Sequence, residues 1–113
     1  MNTQKLINTM DNDIAKSVQS FSAKVLSSLV KKTPVDHGCA ENNWNLSHGK
    51  IDFSTVDCKR NPALNVDVLK TITGKKDVYI TNSLPYIKAL ENGHSKQAPK
   101  GMVALTVGQL KNL

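Results

Sequence analysis

Arginine occurs once in these 113 residues, at Arg60, and glutamate only twice, at Glu41 and Glu91. Aromatic side chains are nearly as scarce, with one Trp, two Tyr and two Phe. Reading of base edges leans on Arg, and single-strand binding leans on aromatic stacking, so a base-reading surface is not expected. Carboxylates are thinly spread. Asp52, Asp57, Asp67 and Asp77 fall in alternating or loop positions, whereas a metal-dependent nuclease needs several acids clustered on its ions. No apolar run approaches the ~20 residues of a membrane-spanning helix, and the first residues carry no hydrophobic signal block. The expectation is a soluble protein made and assembled in the cytoplasm, with no membrane partner.

The two cysteines, Cys39 and Cys58, are too few for a disulfide framework. Whether they pair depends on a distance that sequence does not give, and a reduced setting is the default. His37, Cys39, His48, Cys58 and His94 are the soft-metal ligands available. No CxxC or HxxxH pair occurs among them, so no metal site is expected. Nothing around either cysteine marks the strained turn or helix terminus that activates a thiol. Glu91, His94 and Ser95 lie close in sequence, but a short helix end and a loop favour capping and loop hydrogen bonds over catalysis. No enzyme, cofactor or catalytic residue is expected.

What the chain does have is positive charge and one long periodic segment. Fifteen Lys and Arg stand against nine Asp and Glu, a formal charge of +6. That favours an acidic partner, either nucleic acid or an acidic protein surface. Only Lys31-Lys32, Lys59-Arg60 and Lys75-Lys76 are adjacent basic pairs. Over residues 3–32, Ile7, Met10, Ile14, Val18, Phe21, Val25 and Leu29 recur at steps of three and four, which places them on one helical stripe. Thirty helical residues span roughly 45 Å, more than a single domain of this length needs to cover its own core. Asp11-Asn12-Asp13 prefer caps to helix interiors, so the segment is either a bent helix or one that starts near Asp11. Thr33 before Pro34 ends it.

A turn follows at 34–38. Trp44 and Leu46, then Ile51 and Phe53, alternate on either side of His48-Gly49-Lys50, the pattern of a β-hairpin. Asn61-Pro62 opens a second helix whose apolar face is Leu64, Val68, Leu69 and Ile72, with Gly74 placed as its C-terminal cap. Val78-Tyr79-Ile80 is β-prone. Asn82-Ser83 offers an N-cap before Leu84-Pro85, Tyr86, Ile87 and Leu90 have near-helical spacing, and Asn92-Gly93 ends that turn. A polar loop over 94–101 leads to Met102, Val103, Leu105 and Val107. The fold class is therefore α+β, one domain over 1–113: a long N-terminal helix packed on a small antiparallel sheet, with two or three short helices.

Two separated motifs carry a resemblance. Thr33-Pro34-Val35-Asp36-His37-Gly38 with Trp44 is similar to a "TPVDTG…W" segment. Asn82-Ser83-Leu84-Pro85-Tyr86, Leu90-Glu91-Asn92-Gly93-His94-Ser95 and Gln97-Ala98-Pro99-Lys100-Gly101-Met102-Val103 resemble the C-terminal signature of the same family. That family is the small neck or tail-completion proteins of long-tailed bacteriophages, and the resemblance covers roughly 29–107. His37 departs from the usual Thr, and Cys39-Ala40-Glu41-Asn42 replaces a more basic run.

The resemblance implies a structural virion protein at the head–tail junction. Its partners would be further copies in a homo-oligomeric ring, a head-side connector or head-closure protein, and a tail tube or terminator protein. Non-specific contact with double-stranded DNA is a further implied partner. The candidate interface residues are Ile7 and Met10 on the over-long helix, Tyr86 behind Pro85, and His94, Lys96 and Lys100 in the polar loop. The alternative is a small basic nucleic-acid-binding protein acting alone.

Overall fold

The computed structural model describes residues 2–34, 39–55, 63–93 and 100–110. Its first element, α1 (Thr3–Lys32), is one unbroken helix of 30 residues. The Asn2 side chain caps it by accepting from Lys5 N at 2.8 Å. Asp11, Asn12 and Asp13 sit inside it without breaking it, because all three face water or lie half-buried at its surface. Lys31 and Lys32 lie in the last turn, where they complement the helix dipole. Thr33 is extended and ends the helix, as expected before proline.

Glu41–Asn43 form a single 3-10 turn, followed by β1 (Asn45–His48), α2 (Ala63–Thr71), β2 (Val78–Thr81), α3 (Ile87–Glu91) and α4 (Val103–Leu110). The sheet has two antiparallel strands, with Asn45 opposite Thr81 and His48 opposite Val78. The expected hairpin is therefore not formed. β1 pairs with β2, while 51–55 takes no strand conformation and Ile51 and Phe53 are exposed. That segment is tied down by side chains instead. Asn45 Nδ2 donates to Ser54 O, and the Thr81 hydroxyl donates to Asp52 O.

Gly74 also differs from its expected role. α2 ends at Thr71, and Gly74 makes a left-handed turn (φ +79°) three residues later. A Cβ there would lie 2.7 Å from Ile14 Cγ2, so the glycine lets the α2–β2 connection lie against α1. The expected start of α2 at Asn61-Pro62 and, apart from Pro34, the turn at 34–38 lie outside the described residues. Asn82 does not cap α3. Its Oδ1 accepts from Leu84 N at 3.2 Å in a local turn, its Nδ2 donates to Ala40 O, and Tyr86 occupies the cap position.

The core lies at the C-terminal end of α1. Leu29, Trp44 and Met102 are buried together, with Val25, Leu26, Val30, Ile80, Ile87 and Leu90 packed around them. Among the described residues the architecture is the expected α+β one: a long helix, a small antiparallel sheet and three short helices.

Candidate functional site

The two halves of the upstream motif meet through one hydrogen bond. Trp44 Nε1 donates to the Thr33 hydroxyl at 2.7 Å, and that hydroxyl donates to Leu29 O at 2.6 Å. Both residues are buried, so the pairing gives a core indole N–H an acceptor. Asn65 of α2 reaches the outer edge of β1, accepting from Leu46 N and donating to Trp44 O at 2.8 Å. A side-chain amide thus stands where a third strand would bind. Trp44 also borders an apolar groove between α1 and α2, lined by Leu26, Val30, Val66 and Leu69.

The downstream motif is built on Glu91. Its Oε1 accepts from Met102 N and Val103 N, both at 2.8 Å, and its Oε2 accepts from Ala104 N at 3.1 Å. These are the free amides of the first turn of α4, so a carboxylate from α3 caps a helix eleven residues further on. Burial raises the pKa of this carboxyl, but the three amide donors outweigh it and hold the value below the usual one. Glu91 is therefore a structural anion. Its three partners are all backbone amides, and His94 and Ser95 lie outside the described residues.

Among the described residues, two further polar atoms and one cysteine bear on chemistry. Ser47 Oγ and His48 Nε2 are buried without a hydrogen-bond partner among the described residues. They are neighbours in β1, so they point to opposite faces and cannot act as nucleophile and base on one substrate. Cys39 is disulfide-bonded rather than a free thiol, and Cys58 lies outside the described residues. Among the described residues no group of three His, Cys, Asp or Glu is placed to hold a metal ion. No helix among them is long and apolar enough to cross a membrane.

The surfaces are more informative. Ile7 and Met10 are 45% and 54% exposed, and Leu6, Ile14 and Phe21 are about equally open. The apolar stripe of α1 is thus covered only toward its C-terminal end, and its N-terminal turns present it to solvent. Tyr86 is exposed at the head of α3, and Lys100 is exposed beside Gly101. Expected interface residues His94 and Lys96 lie outside the described residues. The described candidates do not form one patch. Ile87 and Leu90 of α3 pack at the Leu29 end of α1, and Leu29 is ~28 Å along the helix from Met10.

One exposed feature escaped sequence reasoning. Lys16, Ser20, Lys24, Ser27 and Lys31 are all exposed on α1, and their spacing puts them within an arc of about 80°. The periodicity that revealed the apolar stripe also marks this one, once lysine and serine are followed instead of leucine and valine.

Comparison with known proteins yields no matching family model, no matching curated protein and no matching solved structure.

Proposed function

We propose that this chain is a structural virion protein of a tailed bacteriophage, forming part of the head–tail connector, as a neck or tail-completion ring, around the DNA passage. The observation that carries the reading is the half-bare stripe of α1. Leu6, Ile7, Met10 and Ile14 continue the line of residues that pack the core, yet they are about half exposed. An apolar face that outlasts its own domain marks a contact with another subunit. The motif resemblance gives that contact a setting. Thr33, Trp44, Glu91 and Gly101 of those motifs hold the core together, which leaves the exposed faces to do the joining.

The mechanism is assembly rather than turnover. Copies contact one another head to tail and close into a ring, one face toward a head-side connector or head-closure protein and the other toward a tail tube or terminator. Tyr86 and Lys100 are exposed away from the N-terminal turns of α1 and suit a second contact. The alternative, a small basic nucleic-acid-binding protein acting alone, is favoured by the lysine-bearing face of α1. Purified virions probed for the chain, alongside a native mass measurement of the isolated protein, decide between them. The assembly reading expects a fixed number of copies per particle, and loss of the chain should give full heads and free tails. A chain absent from virions, or joined infectious particles formed without it, overturns the reading.

A further inference from the structure

No Asp or Glu occurs between Asp13 and Asp36, so the last five turns of α1 carry only positive and neutral side chains. Lys16, Lys24 and Lys31 lie on one exposed face of that segment, alternating with Ser20 and Ser27. Among the described residues no carboxylate pairs with any of the three lysines; the one ion pair there joins Lys75 to Asp11 at 3.4 Å. Asp13 bounds the row on its N-terminal side. Toward the C-terminal side the row deepens into a groove of about 480 Å³ between α1 and the end of α4, whose lining also includes Lys32 and Gln109 and no acid. Lys32 there is held by Ser28 Oγ at 2.6 Å and Gln109 Oε1 at 2.9 Å, which fixes a fourth positive charge in place.

We infer that this face of α1 is a docking surface for the sugar–phosphate backbone of double-stranded nucleic acid. Successive lysines are ~12 and ~10.5 Å apart along a straight rod, so three cations cover ~22 Å. A duplex offers a regular line of negative charge over that length, one per about 1.7 Å of axis. Ammonium groups interleaved with hydroxyl donors are what phosphate oxygens accept from. The row contains no Arg and no aromatic residue. It can therefore neither fork onto a guanine edge nor stack an unpaired base, and binding is blind to sequence. An acidic protein surface would satisfy the charges, but a straight and evenly spaced row fits a regular polyanion better than a folded surface of mixed side chains. The inference concerns the face itself and holds whether the chain works in a particle or alone.

The test is binding of a fluorescent 30-base-pair duplex of mixed sequence to the purified protein, followed as salt rises from about 20 mM to about 150 mM. Two variants are compared with the parent chain. One carries Lys16→Gln, Lys24→Gln and Lys31→Gln. The other removes equal charge from exposed lysines elsewhere, with Lys50→Gln, Lys70→Gln and Lys88→Gln. Gln is a good helix residue, so circular dichroism should show both variants folded. Three phosphate contacts add about −2.7 to the slope of log affinity against log salt, a roughly 200-fold change over that range. The α1 variant is expected to lose that part of the slope and to bind at least about tenfold more weakly at low salt, while the control variant keeps the slope. Equal loss in both variants, no binding by the parent at low salt, or equal affinity for polyglutamate overturns the inference. Particle joining is not measured here, so the head–tail reading stands or falls separately.

Discussion

A Cβ added to Gly101 would lie 2.5 Å from both the carbonyl oxygen and Oε2 of Glu91. Gly101 also has φ +82°, in the left-handed region that side chains rarely adopt. The two residues form one device. The bare backbone at 101 lets the chain pass under the end of α3, and the carboxylate above it receives the amides that open α4. Met102, fully buried next in sequence, is delivered to the core by that turn.

Gly101→Ala is therefore expected to lower stability by about 1–3 kcal/mol, from backbone strain together with displacement of the Glu91 carboxylate. Urea denaturation of the purified variant checks this. An unchanged midpoint would show that α3 and α4 can separate at no cost.

Glu91→Gln tests the electrostatic half of the device. The amide keeps one acceptor oxygen and the approximate shape, but it loses the charge and an acceptor for three backbone donors. A loss of about 1–2 kcal/mol at neutral pH is expected. The native pKa of Glu91 is lowered. Its contribution is then complete above the unfolded carboxyl pKa, about 4.3, and is lost as pH falls through the lower native value. The parent should lose stability on acidification more than the variant, and the gap between them should narrow below the unfolded carboxyl pKa and close once pH is below the lower native value. Urea midpoints for both proteins across that range provide the measurement, and a gap independent of pH would contradict it.

The reach of sequence reasoning follows from which interactions are local. Helix α1 was legible because seven apolar residues at steps of three and four define it without reference to anything else. The exposed state of Ile7 and Met10 was legible from length alone, since a helix of roughly 45 Å outruns a small core. The hairpin failed for a physical reason. Trp44 and Leu46 alternate as a strand should, but pairing is decided by the whole surface that a strand can bury. β2, with Ile80 on the core cluster, offers more than 51–55 does. Asn45, fully buried and bonded to Ser54 O, reads in sequence as an outward polar residue. Asn65 and Asn82 likewise bond to distant backbone. A side-chain amide carries no sequence signal of which carbonyl it will meet. The cap supplied by Glu91 was half legible, since helix-end capping was expected but the identity of the capped helix was not.

Thr33→Val should be the more informative of two changes at the helix end. Valine matches threonine in shape but cannot accept from Trp44 Nε1 or donate to Leu29 O, so both hydrogen bonds of the buried hydroxyl are lost. A destabilisation of about 1–3 kcal/mol is expected, visible as a lower melting temperature. Trp44→Phe removes that donor together with part of the ring, so its cost comes from lost packing and not from a stranded polar group. In the double variant the N–H is gone as well. The combined loss should therefore be smaller than the sum of the two. Strict additivity would mean that the 2.7 Å contact contributes nothing.

Ile7→Asp combined with Met10→Asp tests the assembly reading at the residues that carry it. Both side chains are about half exposed in the single chain and neither belongs to the core cluster, so charging them leaves the core intact. The expected cost to the monomer is about 1–2 kcal/mol for the pair, well short of the loss from opening the core. Asp is a modest penalty inside a helix, and Asp11 and Asp13 one turn further on add a small like-charge term. An interface is affected differently, because a carboxylate buried against another apolar face has no partner to neutralise it. The variant should keep its helical circular dichroism and thermal transition, yet fail to form the oligomer detected by native mass measurement or to enter particles. A variant that unfolds instead would show that the stripe serves the domain's own core. One that assembles normally would remove α1's first turns from the interface and send the search toward Tyr86 and Lys100.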